Sequence, residues 1–173
     1  MSIAIALLIL RVVVGLTVAA HGAQKVFGWW GGSGIPGWSG ALKHMRVRPA
    51  LPWAIASAAS ELLGGLGVAV GLLTPLAAFA IIATQFVAIA LVHIPNGFWS
   101  TKGGYEFNLA ILAAMFAVAI AGPGAISLDG LVGISFPEPV TFIVLLILTV
   151  LGVGTALVTR APQEAAASPR QTT

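Results

Sequence analysis

Residues 51–94 read LPWAIASAASELLGGLGVAVGLLTPLAAFAIIATQFVAIALVHI. Two apolar runs, about 51–73 and 76–94, flank Thr74-Pro75, and Glu61 is the one Asp, Glu, Lys or Arg in the stretch. A helix rises about 1.5 Å per residue and a bilayer core is about 30 Å thick, so roughly 20 residues cross it. Each run has that length. Lipid offers no water to backbone groups, which leaves only helices or a closed barrel, and continuous rather than alternating apolar residues select helices. The tight Thr74-Pro75 connection makes the two spans an antiparallel hairpin. Working outward, further apolar runs occupy about 3–27, 105–121 and 140–158. The predicted fold is all-α: a polytopic membrane helical bundle over residues 1–159, with four core transmembrane helices plus a fifth C-terminal one. Residues 160–173, rich in Ala, Gln, Ser, Pro and Thr, are expected to form a disordered cytoplasmic tail.

The composition agrees. Of 173 residues, 58% are hydrophobic and 8% charged, with mean hydropathy +1.03. Soluble domains carry about 25% charged residues, so a water-soluble globule is excluded. The absence of cysteine removes disulfides, thiolate metal ligands, iron–sulfur clusters, c-type haem and a cysteine nucleophile. A sequence pI near 10.0 rests on a net charge of only +3 and is no nucleic-acid signal. The first span lacks a basic leader and holds Arg11 in its middle, so it is expected to be a retained helix rather than a cleaved signal peptide.

Charge placement predicts orientation. Lys43, Arg46, Arg48, Lys102, Arg160 and Arg170 fall on one side of five spans, while the other side holds Asp129 and Glu138 with no Lys or Arg. The positive-inside rule then puts the N-terminus outside and the C-terminus in the cytoplasm. Trp29, Trp30, Trp38, Trp53 and Trp99 all lie toward the cytoplasmic side and read as interfacial anchors. The run Lys43 to Arg48 reads as an anchor to anionic lipid.

Polar residues at membrane depth are costly and face the bundle interior. Arg11 and Glu61 both fall near mid-depth when the spans are aligned by their ends, which predicts a buried Arg11–Glu61 ion pair. Arg11, Gly15, Val18, Gly22 and Lys25 form one stripe on the first helix, and Ser57, Glu61, Gly64 and Gly71 form one on the second. The two stripes are expected to face each other through their small residues. A second cluster forms at the cytoplasmic ends: His21, Gln24 and Lys25, then His93, then Tyr105, Glu106 and Asn108, with Gln85 deeper. His21, Lys25, His93, Tyr105 and Glu106 form the candidate polar site. These groups either pass protons and bind a polar ligand or only cap helices and bond loop carbonyls; the residues alone leave both open. Two histidines on different helices are the ligand types of a b-type haem, but His93 ends its helix and haem is not expected. No metal-ligand spacing motif is present, and no metal is expected.

The pattern His21-Gly22-x-x-Lys25-x-Phe27-Gly28, then Glu61-Leu62-x-Gly64-Gly65 and Gly71-Leu72-Leu73-Thr74, resembles the DoxX family. So do His93 with Asn96-Gly97-Phe98-Trp99, Gly103-Gly104-Tyr105-Glu106, and Gly122-Pro123-Gly124 with Ser127-Leu128-Asp129. The resemblance spans about residues 5–131. It implies a small multi-pass protein of the bacterial inner membrane. Members are linked to the membrane subunit of a thiosulfate:quinone oxidoreductase, and to a membrane redox complex with a sulfurtransferase and a superoxide dismutase. A fifth span after Asp129 departs from shorter relatives.

The expected function is therefore a membrane component of a redox system, quinone-linked or tied to thiol and oxidative-stress chemistry, acting with partner proteins; any enzyme role is that of an oxidoreductase subunit. Quinone carbonyls need hydrogen-bond donors near the interface, and His21, Lys25 and Tyr105 are of that type. The alternatives are a small-solute carrier or channel and a non-catalytic membrane scaffold. The lipid bilayer is the expected surrounding, nucleic acid is not a partner, and association of copies stays open.

Overall fold

A computed structural model describes residues 2–160; the remainder of the expected tail lies outside the described residues. Its secondary structure is helical, with no strand among those residues. In chain order the helices are α1 (Ser2–Phe27), α2 (Gly34–His44), α3 (Ala50–Val70), α4 (Thr74–Ala88), α5 (Glu106–Ala121), α6 (Leu128–Val132) and α7 (Val140–Val158). Among the described residues four helical stretches are long and apolar enough to cross a membrane: Ser2–Phe27, Ala50–Val70, Thr74–Asn96 and Val140–Val158; α5 is apolar but shorter. The outer surface is itself apolar, with Ile9, Val13, Leu63, Ile120, Ile147 and Leu151 all exposed. Such a surface requires lipid rather than water around it, so the molecule is a helical membrane bundle.

α3 and α4 occupy the centre. α3 packs on α1, α2 and α4; α4 packs on α3, α5 and α7. The hairpin between them closes where Gly71 leaves the helix at φ 70° and Leu73 follows at φ 48°. That region disfavours residues with a Cβ. Leu73 is held there from outside its own segment: the Asp129 carboxylate of α6 accepts from Leu73 N at 2.7 Å, Thr74 N at 2.9 Å and Thr74 Oγ1 at 2.8 Å. These bonds satisfy amides at the start of α4 and place a negative charge at its positive dipole end.

The α1–α3 seam is built on glycine. A Cβ on Gly65 would stand 2.5 Å from Ala19 N, and one on Gly15 2.6 Å from Gly65 O. Gly22 abuts the backbone of Leu62. On α1 the small-residue stripe therefore faces α3. On α3 the facing glycine is Gly65, not Gly64; Gly64 turns toward Ala77 and Ile81 of α4. Consecutive helical residues point about 100° apart, so the Gly64-Gly65 pair admits two neighbours. The core around these contacts is Val18, Val68, Ile81, Ile82, Met115 and Val118. Phe79 joins α7 through Phe142 at 5.3 Å and α5 through Phe116 at 6.2 Å between ring centroids.

Two short helices arise where the sequence reads as connection. α2 contains Gly34, Pro36, Gly37 and Gly40, a composition poor in helix propensity. Pro36 sits in the first turn, where its missing N–H is tolerated, and burial of Leu42 against α3 supplies what propensity lacks. α6 starts at Ser127, whose Oγ accepts from Gly130 N at 3.1 Å as an N-cap.

Candidate functional site

Glu61 is 4% exposed and its cation is Lys25, with Nζ 2.5 Å from Oε1. The expected Arg11–Glu61 pair does not form. Gly15 lies beside Ala69 and Gly22 beside Leu62, a register that sets Arg11 beside Gly71, ten residues and about 15 Å along α3 from Glu61. Aligning spans by their ends ignored this offset. α1 runs past the α3–α4 turn, and its extra length is covered by the 122–133 segment, where Leu7 lies against Gly124.

At that far end Arg11, 1% exposed, donates from Nη2 to the Ile126 carbonyl, while Nε and Nη1 have no partner. Asp129, fully buried, anchors the same segment through its α4 bonds and through its own N–H, which donates to Gly71 O at 2.8 Å. Arg11 and Asp129 therefore tie α1, α6 and the hairpin turn together, far from the polar site.

The polar site is at the opposite end. A cavity of about 340 Å³ between α1, α4 and α5 is lined by His21, Lys25, Glu61, Gln85, His93 and Asn108. Asn108 Nδ2 donates to Gln85 Oε1 at 2.8 Å across the α4–α5 interface, with both residues buried. His93 closes a π-helical turn, Ile89–His93, and its Nδ1 is 2.6 Å from Gly103 O. His21 is exposed at the cavity mouth, its ring 6.2 Å from Phe107. Three of the five candidate residues, His21, Lys25 and His93, thus meet in one cavity.

The other two do not join them there. Glu106 turns back on its own loop, with Oε2 accepting from Ser100 N at 2.9 Å and Ser100 Oγ at 3.0 Å. Tyr105 precedes α5 and packs on Phe98, 5.6 Å between centroids. Both order the 97–106 loop, whose Gly103 and Gly104 form the cavity lip. The reason is steric: Gly104 is wedged against Phe98 backbone, folding the loop so that these side chains face it rather than the bundle.

A second cavity of about 160 Å³ lies on the other side of the ion pair, between α2, α3, α4 and α7. Its walls include Trp38, Trp53, Leu91, Val92 and Ala156, with the hydroxyls of Ser57, Ser60 and Thr84. Lys25 and Glu61 line both cavities. Lys25 Nζ also stands 4.4 Å from the centre of the Trp38 ring, a cation–π contact, and Trp38 Nε1 donates to Ser57 Oγ at 2.9 Å. Trp38 and Trp53 are thus partly buried cavity walls, while Trp29, Trp30 and Trp99 are exposed. The sequence carried one signal for this: Trp38 and Leu42 are four apart and share a face if the segment is helical.

Residues 6–94, just over half of the chain, match the family model described as DoxX. The matched region runs from α1 through the π turn and includes Lys25, Glu61, Gln85 and His93; Asn108 and α7 lie beyond it. No match was found among curated proteins or among solved structures.

Proposed function

The chain belongs to the DoxX family, and from that premise we propose that it is the quinone-binding membrane component of a redox system working with partner proteins. Its place is the bacterial inner membrane, crossed by α1, α3, α4, α5 and α7, with the basic loops in the cytoplasm. The observation that carries this reading is the apolar cavity walled by Trp38 and Trp53 and bounded by the Lys25–Glu61 pair. A quinone is a flat, lipid-soluble ring with two carbonyl acceptors. It needs aromatic walls, access from the membrane and a hydrogen-bond donor at the ring edge. Trp38 and Trp53 supply the first, the gap between α2, α3, α4 and α7 the second, and Lys25 Nζ the third. Reduction to quinol takes two electrons and two protons. This chain's own residues bind the ring and handle the protons; the electrons come from a partner of the redox complex, with sulfurtransferase and dismutase types the associates that the resemblance suggests.

The core between the polar cavity and the Arg11 end is filled by Val18, Val68, Ile81 and Ile82. That packing supports a site approached from one end over a path for a solute across the bundle. Purification in mild detergent, followed by solvent extraction, should recover quinone at a fixed ratio to protein. Loss of one aromatic wall in Trp53→Ala should lower that ratio about fivefold, from roughly 1 kcal/mol of ring packing. Absence of quinone from the wild-type protein, or equal quinone in Trp53→Ala, would rule the reading out. Proteins recovered in the same preparation identify the partner.

A further inference from the structure

We infer that the Lys25–Glu61 pair is a proton relay through the wall between the two cavities, with Lys25 the donor to a lipophilic acceptor and Glu61 the group that recharges it. This rests on the quinone reading. The two residues line both cavities, and the cavities differ in chemistry. One holds His21, His93, Gln85 and Asn108; the other is walled by indole rings and aliphatic side chains. A quinone partitions to the second, and protons reach the first. In the pair between them Nζ and Oε1 are 2.5 Å apart, and Glu61 Oε2 is buried without a hydrogen bond. A purely structural ion pair at this depth is expected to satisfy both carboxylate oxygens, because a bare buried acceptor costs about 1–3 kcal/mol.

The step balances as follows. A quinone that has received two electrons from a dithiol partner, whose two thiols become a disulfide, takes a proton from the Lys25 ammonium: the N–H bond breaks, the ring O–H forms, and the electron pair stays on nitrogen. Glu61 takes a proton on its carboxylate from the polar cavity, where the imidazoles of His21 and His93 are the titratable groups facing it. That proton passes across the short Oε1–Nζ contact to the neutral amine, and carboxylate and ammonium are restored. Two passes complete the quinol.

The test uses the full-length protein in lipid nanodiscs with its bound quinone, poised at an electrode through a soluble mediator that stands in for the partner. Infrared spectra recorded during quinol formation after a potential step should contain a transient protonated-carboxyl band that disappears in Glu61→Gln. Quinol formation per bound quinone in Glu61→Gln should slow about 100-fold, the lower end for loss of a general acid–base group, with bound quinone measured in the same sample. Glu61→Asp keeps the acid on a shorter arm. Its band should move and its rate recover in part, so it serves if Glu61→Gln does not accumulate. A wild-type rate and an unchanged band in either variant overturn the relay and leave quinone binding standing. A wild-type protein that holds no quinone overturns both.

Discussion

A carboxylate that is 4% exposed inside an apolar bundle needs a cation, and the register of α1 decides which one it meets. Both Arg11 and Lys25 lie on the stripe that faces α3, but only Lys25 is level with Glu61. Removing one partner of a buried pair leaves the other charge stranded, which costs about 3–5 kcal/mol. Lys25 retains 22% side-chain exposure, so Lys25→Met should lower stability by about 3 kcal/mol, the low end of that range. Adding Glu61→Gln should recover most of the loss. Arg11→Met combined with Glu61→Gln should instead be additive within about 0.5 kcal/mol, as for residues without contact. Unfolding titrations in mixed micelles on both double-mutant cycles check this; strong coupling of Arg11 to Glu61 would refute the register.

Among elements, the α1–α3 seam is the most demanding contact, because the helix backbones approach through Gly15, Gly22 and Gly65. A methyl at Gly65 would meet Ala19 backbone at 2.5 Å, and backbone cannot step aside as a flexible side chain does. Gly65→Ala should therefore destabilise by about 1–3 kcal/mol, the usual cost of overpacking. It should also widen the Lys25–Glu61 contact and reduce bound quinone. Gly154 of α7 has nothing within 4 Å of the position of an added Cβ. Gly154→Ala should be neutral or stabilise by up to about 1 kcal/mol through helix propensity. Melting of both variants in the same detergent gives the comparison, and equal losses would mean that the glycine count rather than the close approach matters.

At the scale of the whole molecule, the chain sorts its charges to its two ends. Arg160 Nε donates to Met45 O at 3.2 Å, so the end of α7 lies beside the α2–α3 connection. Lys25, Glu61 and the 97–106 loop belong to the same end, and Asp129 with the α3–α4 turn to the other. An odd number of crossings satisfies this arrangement. The positive-inside bias then orients it: a reporter fused at the C-terminus should behave as cytoplasmic and one at Ser2 as external. A periplasmic C-terminus would overturn the five-crossing orientation and move the proposed quinone site to the opposite face.

The sequence by itself determined the helical membrane bundle, because span length, apolar continuity and the backbone's need for internal hydrogen bonds in lipid are all local properties. It also brought His21, Lys25 and His93 to one end, since each closes a span on the same side. It did not contain the sliding of α1 along α3. That offset depends on which glycine accepts which backbone, and a change of one residue in Gly64 or Gly65 switches the neighbour from α4 to α1. With the offset unknown, aligning the spans by their ends put Glu61 level with Arg11 and not with Lys25. The apolar cavity was hidden for a related reason: α2 is a helix only because Leu42 and Trp38 pack on α3, and its own residues argue for a loop. Tertiary packing alone decided which cation meets Glu61 and which tryptophans line the site, because both follow from contacts between segments far apart in the chain.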